Sequence, residues 1–223
     1  MPFYPSVAAV TLERMPEASN REREAPPARG VRAFVAVSPP LEVRRALLRA
    51  ARGLPVAGEV RWIKPENVHL TLKFLGDVAE EDLVRVADAL DSVCERHEAF
   101  EVMPSGFGAF PSARRARILW AGVGEGAGRL TALAQDVQRS LEALSFEPEN
   151  RPYRPHLTLG RARGRPAVLG AVEVALPGFG FPVKSVELVK SVLGEAGATY
   201  TTLASCALSE SADQRPDGHD DEE

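Results

Sequence analysis

The sequence has little cysteine and no long hydrophobic run. Its 223 residues include two cysteines, Cys94 and Cys206, which are too few for a disulfide framework or a zinc–thiolate site. No apolar stretch reaches the roughly 18 residues that a membrane-spanning helix needs. The N-terminus lacks the basic segment and apolar stretch of a secretory signal. The sequence therefore predicts a cytoplasmic protein with reduced cysteines and no membrane partner.

An excess of one charge sign is confined to the C-terminal end. Residues 209–223 hold seven acids and one arginine, whereas residues 31–208 hold 22 basic and 20 acidic residues and are mildly basic. An acidic block without aromatics is typical of a solvated, disordered tail. Residues 1–30 carry prolines and no hydrophobic period, which indicates a disordered leader. The folded part is predicted to be one domain over 31–208.

The hydrophobic periods within that domain predict interleaved helices and strands. Apolar residues recur at helical spacing over 80–97 and 127–144, and a third helix is expected to begin at Pro39–Pro40 and run to about Ala51. Frequent hairpin-like strand pairs favour an α+β fold with antiparallel sheets. The predicted strands cover 32–37, 100–110, 117–123, 156–161, 172–175, 185–193 and 199–207.

One tetrapeptide occurs twice. His-Leu-Thr-Leu stands at 69–72 and again, 87 residues later, at 156–159. Two of the chain's four histidines lie in these copies. The repetition predicts two copies of a structural unit, each contributing one strand to a common cleft.

In a strand, alternate side chains point to the same face. His69, Thr71 and Lys73 are therefore predicted to share one face, and His156 and Thr158 another. The opposite face of the first strand is predicted to fill the core with Val68, Leu70, Leu72 and Phe74, and that of the second with Leu157 and Leu159.

Two imidazoles and two hydroxyls facing one cleft suit phosphoester chemistry. A neutral histidine accepts a proton from water near pH 7 and a protonated one donates to a leaving alkoxide. Threonine hydroxyls can donate to the phosphate oxygens, on which charge grows in the transition state. Two other interpretations remain at this point. The polar faces could simply meet water, or the histidines could bind zinc, although a two-histidine site lacks the usual third ligand. We expect no metal and no cofactor.

Four segments resemble a known family. They are residues 32–36, Arg-Ala-Phe-Val-Ala, residues 61–76 around the first motif, residues 117–122, Arg-Ile-Leu-Trp-Ala-Gly, and residues 151–161 around the second. Together they resemble the 2H phosphoesterases, and within them the RNA 2′,3′-cyclic phosphodiesterases, also called 2′-5′ RNA ligases. The resemblance covers about 31–208. It implies a bilobal fold of two pseudo-symmetric antiparallel sheets, flanked by helices, with a central cleft.

The resemblance also implies a reaction, in which a 2′,3′-cyclic phosphate at an RNA end opens to a 2′-phosphate. By analogy His69 is the proton donor to the leaving 3′ oxygen and His156 is the proton acceptor that activates water. The residues alone do not fix these roles, because the two motifs are nearly symmetric. Thr71 and Thr158 are expected to bind the phosphate. Some members also join RNA ends through a 2′-5′ bond without ATP.

Three further residues are predicted at the substrate rim. Arg161 matches a family arginine near the substrate, yet strict alternation puts it opposite His156, so it needs a bulge or a strand end to reach the cleft. Phe34 could stack on a base or pack in the core, and Lys73 could line the cleft. His97 and His219 are expected to be non-catalytic, and Trp62 and Trp120 to lie in the core or between lobes.

The expected partners are RNA ends with a 2′,3′-cyclic phosphate, tRNA fragments among them, and the protein is expected to be a monomer. A nucleotide-binding domain without turnover is the alternative of a different class. A phosphodiesterase for 2′-5′ oligoadenylates or small cyclic nucleotides differs only in its substrate.

Overall fold

The computed structural model describes residues 30–172, 176, 178, 180–194 and 197–210. The predicted leader, apart from Gly30, and the acidic segment from residue 211 lie outside these residues, as does most of the strand predicted near 172–175. Within the described part, no helix is long and apolar enough to cross a membrane.

Three helices lie where the apolar periods predict them. Helix α1 spans Leu41–Ala51, α2 spans Glu80–Cys94 and α3 spans Ala127–Glu142. Pro40 is the N-terminal cap of α1. Its fixed φ suits the start of a helix, and an N–H at this position would have no carbonyl partner within the helix, so proline loses no hydrogen bond there. Helix α2 opens with three acids at its positive end and ends three residues before His97, short of the predicted limit.

Twelve strands lie in the described part of the chain. They are β1 Val31–Val37, β2 Val56–Ala57, β3 Val60–Trp62, β4 Leu70–Val78, β5 Phe100–Val102, β6 Pro104–Phe110, β7 Ile118–Val123, β8 His156–Ala162, β9 Val168–Leu169, β10 Phe181–Val183, β11 Ser185–Gly194 and β12 Gly197–Ala207. Eight of them form one antiparallel sheet in the order β12-β11-β1-β4-β8-β7-β6, with β3 also paired to β8. The other four form two small two-stranded sheets.

The large sheet has two halves that meet at its centre. Strand β4 joins β8 through a single residue pair, Leu70 opposite Leu157, while each strand pairs extensively with its outer neighbour. One motif strand therefore belongs to each half, as the repeated tetrapeptide predicts.

The three helices cover one face of this sheet. Their buried residues and the inward side chains Ala33, Val35, Leu70, Leu157 and Leu159 form one continuous hydrophobic core. None of these three helices covers the opposite face, so polar side chains on it can stay accessible.

The folded part extends past the predicted boundary at residue 208. The Ser209 N–H and hydroxyl donate to the His97 carbonyl at 2.9 and 3.0 Å, and the Ala99 N–H donates to the Ser209 carbonyl at 2.9 Å. These bonds tie the end of the described chain to the segment that follows α2.

Deleting residues 209–223 is expected to lower the melting temperature by several degrees. It removes the three hydrogen bonds of Ser209, each worth about 1 kcal/mol, and in a chain of this size each kcal/mol corresponds to about 2–4 °C. Deleting only 211–223 is the matched control and is expected to shift the melting temperature by less than about 2 °C. Thermal unfolding followed by circular dichroism measures both. A large fall in the control would show that the acidic segment packs on the body.

Candidate active site

The two His-Leu-Thr-Leu motifs lie side by side at the centre of the large sheet. His69 directly precedes β4 and His156 is the first residue of β8. Because Leu70 stands opposite Leu157 in antiparallel register, continuing that register by one residue sets Thr71 opposite His156 and Thr158 opposite His69. The leucines of this central pair are fully buried beneath the helices. The histidines and threonines therefore occupy the other face, in a diagonal arrangement around a local two-fold axis.

Each imidazole is held in the same way. His69 Nδ1 donates to the Asn67 carbonyl at 2.9 Å, and His156 Nδ1 donates to the Arg154 carbonyl at 2.7 Å. A carbonyl oxygen can only accept, so the proton of each neutral ring must be on Nδ1. Nε2 is then the nitrogen that can gain or lose a proton in both histidines. Matched backbone contacts thus prepare two equivalent proton-transfer groups.

Aromatic rings surround both imidazoles, but in different ways. Phe34 stacks on His69 with ring centroids 4.7 Å apart, and Tyr200 meets His69 edge-on at 5.3 Å. His156 has edge contacts to Phe110 at 5.0 Å and to Trp120 at 6.4 Å. Phe34 is 3% exposed, so its ring supports His69 and has little free surface for a base.

This enclosure determines the electrostatics of the pair. The pKa of His69 is lowered to about 4, chiefly by burial; the Asn67 carbonyl raises it, and the nearby charges of Arg44, His156 and Arg161 lower it. Burial and, to a smaller extent, Arg161 also lower the pKa of His156. In the free protein both rings are therefore neutral near pH 7.

The prediction that Lys73 shares the His69 face is wrong. Strand β4 carries an extra residue at Leu72, since Thr71 faces Ala36 but Lys73 faces Val35. This β-bulge reverses the alternation. Lys73 consequently points into the helix-covered core, where it is 2% exposed and its Nζ donates to the Glu147 carbonyl at 2.6 Å.

The same bulge overturns the prediction that Phe74 fills the core. Phe74 pairs with Phe34 across β1, on the cleft face, and is 63% exposed. Its ring centroid lies 6.1 Å from that of Phe34. An exposed aromatic ring on this face is a surface on which a base can stack, and the sequence pattern alone assigned it to the wrong side.

Arg161 reaches the cleft face through the corresponding bulge in β8. Trp120 faces Thr158 but Ile118 faces Arg161, so Leu159 is the extra residue. Arg161 therefore returns to the face of His156 and Thr158, and it lowers the pKa of both histidines. The residue five positions after His156 is the cation Arg161, whereas the residue five positions after His69 is Phe74.

A polar cavity of about 160 Å³ lies beside His69, on the β1 side of β4. Arg44 of α1 and Glu187 of β11 line it, and the Ser38 hydroxyl donates to Glu187 Oε2 at 2.7 Å. The Arg44 Nη1 donates to the Glu66 carbonyl at 3.2 Å. Sequence analysis missed Arg44, Glu187 and Tyr200, because they come from three elements far from the motifs and have no local pattern.

Other predicted or possible groups lie away from the cleft. His97 Nε2 bonds to Asp136 Oδ2 at 2.8 Å, on the other side of the sheet, between α2 and α3. Trp62 packs against the main core, as predicted, whereas Trp120 lies on the cleft face beside His156. His219 lies outside the described residues. Within them, no three His, Cys, Asp or Glu side chains are grouped to hold a metal ion.

Comparison with protein families matches each half of the chain separately. The model of the LigT like phosphoesterase family matches residues 37–120, which contain the first motif, and again residues 122–200, which contain the second. The internal repetition seen in the sequence is thus a repetition of one family unit.

Individual relatives agree with this match. The chain is 37% identical over 163 residues to the RNA 2′,3′-cyclic phosphodiesterase of Aeropyrum pernix, an alignment that covers 69% of this chain and 87% of the relative. The structure resembles that of E. coli LigT complexed with 3′-AMP, with a TM-score of 0.66, 28% identity and coverage of 81% and 99% of the two chains. A structure from Thermus thermophilus gives a TM-score of 0.64 at 30% identity, with coverage of 79% and 97%.

Proposed function

Since the chain belongs to the family of LigT-like phosphoesterases, we propose that it is an RNA 2′,3′-cyclic phosphodiesterase, which opens the cyclic phosphate at an RNA end to a 2′-phosphate. The observation that carries the proposal is the matched pair of imidazoles, each with Nδ1 bonded to a backbone carbonyl and Nε2 left for proton transfer. A site that only binds nucleotides has no need for two such groups.

The proposed reaction uses one histidine as base and the other as acid. His156 Nε2 accepts a proton from water as the water oxygen attacks phosphorus. The bond from phosphorus to the 3′ oxygen breaks, and His69 Nε2 donates a proton to that oxygen. The products are a 2′-phosphate and a free 3′-hydroxyl. Each proton transfer contributes roughly 10²–10⁴ to the rate.

The phosphate is proposed to bind between the two histidines. Thr71 and Thr158 donate their hydroxyls to its non-bridging oxygens, and the Arg161 guanidinium balances the charge that grows there. The leaving 3′ oxygen belongs to the ribose, so the terminal nucleoside lies on the His69 side. The polar cavity on that side, lined by Arg44 and Glu187, offers room for it, and Phe74 offers a stacking surface.

An RNA fragment ending in a 2′,3′-cyclic phosphate, incubated with the protein in EDTA, tests the proposal. Release of a 2′-phosphate end is expected, because the two imidazoles supply both proton transfers. Mass spectrometry detects the added water, and chromatography against 2′- and 3′-phosphate standards identifies the end.

Three other outcomes of this assay have distinct meanings. Tight binding without product would favour a nucleotide-binding domain. Activity confined to 2′-5′ oligoadenylates or mononucleotides would change the substrate and keep the chemistry. Loss of activity in EDTA with rescue by zinc or manganese would refute the two-histidine mechanism.

We further propose that the protein acts in the cytoplasm as a monomer, on RNA fragments that include those of tRNA. The mildly basic body and the open central cleft support this proposal. Size-exclusion chromatography with light scattering tests the oligomeric state, and a dimer would contradict it.

The pH dependence of kcat/KM is expected to peak below pH 6.5. The rate falls at low pH when the base becomes protonated and at high pH when the acid loses its proton, and kcat/KM reports the pKa values of the free enzyme. Burial lowers both pKa values, that of His69 to about 4, so both limbs of the bell move to lower pH. Initial rates at low substrate concentration measure this profile.

The profile of kcat is the internal control. A bound phosphate anion favours the cationic imidazoles and raises both pKa values, so the kcat optimum is expected at higher pH than that of kcat/KM. A kcat/KM optimum above pH 7 would show that the free histidines are not shifted downward.

A further inference from the structure

The end of the β11–β12 hairpin lies beside the first motif, although β12 is at the far edge of the sheet. Three strand intervals separate β12 from β4 in the order β12-β11-β1-β4, a distance of about 14 Å in a flat sheet. The Tyr200 ring of β12 nevertheless lies 5.3 Å from the His69 imidazole, and the Ala198 carbonyl of β12 accepts a hydrogen bond from the Asn67 side-chain amide at 2.8 Å. The hairpin therefore bends toward the cleft face.

A β-bulge within the hairpin accounts for this bend. The register of β11 against β12 shifts between Leu188 and Val189, so that Leu203 is an extra residue of β12. A bulge bends its strand and increases the local twist. The part of β12 that precedes the bulge, residues 197–202, is therefore turned toward His69.

Asn67 connects this hairpin to His69 through two separate groups. It is the last residue of a single-turn 3₁₀ helix, Pro65–Asn67, which stands just before the motif. Its side-chain amide donates to the Ala198 carbonyl, and its backbone carbonyl accepts from His69 Nδ1 at 2.9 Å. The amide thus bonds the turn to a strand 131 residues away, at the residue that contacts the imidazole.

Two further hydrogen bonds hold the same turn. The Arg44 Nη1 donates to the Glu66 carbonyl at 3.2 Å, and the Asn67 N–H donates to the Lys64 carbonyl at 2.9 Å. Neither bond uses the Asn67 side chain or its carbonyl. The turn is therefore expected to persist when the amide is removed, while its last residue loses a restraint.

The second motif lacks such a connection to the described residues. The carbonyl that accepts from His156 Nδ1 belongs to Arg154, which like Asn67 stands two residues before its histidine. The Arg154 side chain is exposed and makes no hydrogen bond or ion pair with a described residue. Because the two motifs are identical in sequence, the Asn67 amide is a difference between the halves that lies outside the motifs.

We propose that Asn67 is a positioning residue for the proton donor: its amide, bonded to β12, fixes the carbonyl that keeps the proton of His69 on Nδ1. This inference rests on the proposed function, in which His69 Nε2 protonates the leaving oxygen. The hydrogen bond at one ring nitrogen decides which nitrogen carries the proton of a neutral imidazole. Without the amide, the His69 ring exchanges between tautomers and presents Nε2 in the required state for only part of the time.

The kinetic test compares the full-length Asn67→Ala variant with the wild type on two substrates. On an RNA 2′,3′-cyclic phosphate, whose leaving oxygen needs a proton, kcat is expected to fall roughly 10²-fold, the effect of a misplaced catalytic group. On an activated aryl phosphodiester, whose leaving oxide needs no proton, the loss is expected to be clearly smaller. Asn67→Gln keeps an amide donor and should recover part of the loss. Arg154→Ala is the matched control and should leave the ratio of the two rates unchanged.

Nuclear magnetic resonance gives a readout that does not depend on turnover. The ¹⁵N shifts of a neutral imidazole differ between its protonated and unprotonated nitrogens, so they identify the tautomer of each ring. At neutral pH the wild type is expected to carry the proton on Nδ1 in both His69 and His156. Asn67→Ala is expected to mix the tautomers of His69 alone, and the spectrum of His69→Ala assigns the signals.

The outcomes separate this inference from the proposed function. A wild-type protein that fails to open the cyclic phosphate refutes the proposed function, whereas the ¹⁵N spectra still report the proton of His69. If the His69 signals of Asn67→Ala match those of the wild type, or if both substrates lose the same factor, the amide only stabilises the turn and the inference is overturned. A change of the same size in Arg154→Ala would also overturn it, because the two halves would then be equivalent.

Discussion

His156→Ala is expected to lower the hydrolysis rate by roughly 10²–10⁴ for every leaving group, whereas the deficit of His69→Ala is expected to shrink when the leaving group is good. A ribose 3′ oxygen must be protonated as it departs, so the loss of a proton donor is costly. An aryl oxide departs without that proton. The attacking water needs its base in both cases. Rates for an RNA cyclic phosphate and for an activated aryl phosphodiester, measured with both variants, give the comparison.

The pKa values make this test more informative. Burial lowers the pKa of both histidines, that of His69 to about 4, so His69 is neutral in the free cleft near pH 7. The assigned roles therefore require the bound phosphate to favour a proton on the His69 imidazole. Recovery of His156→Ala on the aryl substrate, in place of His69→Ala, would reverse the roles.

A histidine outside the cleft supplies the control. His97 bonds to Asp136 between α2 and α3, so His97→Ala is expected to lower stability and leave the ratio of the two rates unchanged. If neither cleft variant recovers on the aryl substrate, both histidines act mainly in binding the phosphate, and the acid–base account is wrong.

The repeated motif made the centre of the fold predictable. Strand alternation within each His-Leu-Thr-Leu copy correctly separates His69 and Thr71 from Leu70, since a single strand decides it locally. The predicted helices and most of the predicted strands also match, because their apolar periods are long enough to outweigh local exceptions.

Alternation failed immediately after each motif. The extra residues Leu72 and Leu159 become bulges only through the register of β1 and β7, and nothing in the local sequence marks them. Lys73 and Phe74 were consequently assigned to the wrong faces. Alternation alone predicts Arg161 on the face opposite His156. Only the family resemblance predicts it at the cleft, and that position requires a bulge that the local sequence does not show.

The cavity beside His69 could not be predicted from the sequence, for a different reason. Its Ser38–Glu187 hydrogen bond joins residues 149 positions apart, and Asn67, whose carbonyl accepts from His69, donates its own side-chain amide to the Ala198 carbonyl 131 positions away. Such contacts depend on how β11 and β12 return to the first half of the chain. A single sequence carries no periodic signal for them.

Arg161→Ala is expected to lower kcat/KM by roughly 10²-fold or more, in the range found when a donor to a developing phosphate or oxyanion charge is removed. Arg161 lies on the cleft face with Thr158, and its charge acts on both histidines. Its removal should therefore also raise the pKa of both imidazoles and move the acid and alkaline limbs of the kcat/KM profile to higher pH. A merely structural residue would lower activity without moving the limbs.

Arg163, just past the end of β8, and Lys73 of β4 serve as controls for Arg161. Arg163 is exposed and pairs with Glu59 at 2.9 Å, and Lys73 points into the core after the β4 bulge. Arg163→Ala and Lys73→Met are both expected to retain kcat/KM within about threefold, a difference of less than about 1 kcal/mol, and to leave the pH limbs in place. Arg161→Lys should recover part of the rate, because a point charge replaces the charge but not the planar donor pair. Equal losses in Arg161→Ala and Arg163→Ala would mean that the positive rim attracts RNA in general and that Arg161 does not contact the phosphate.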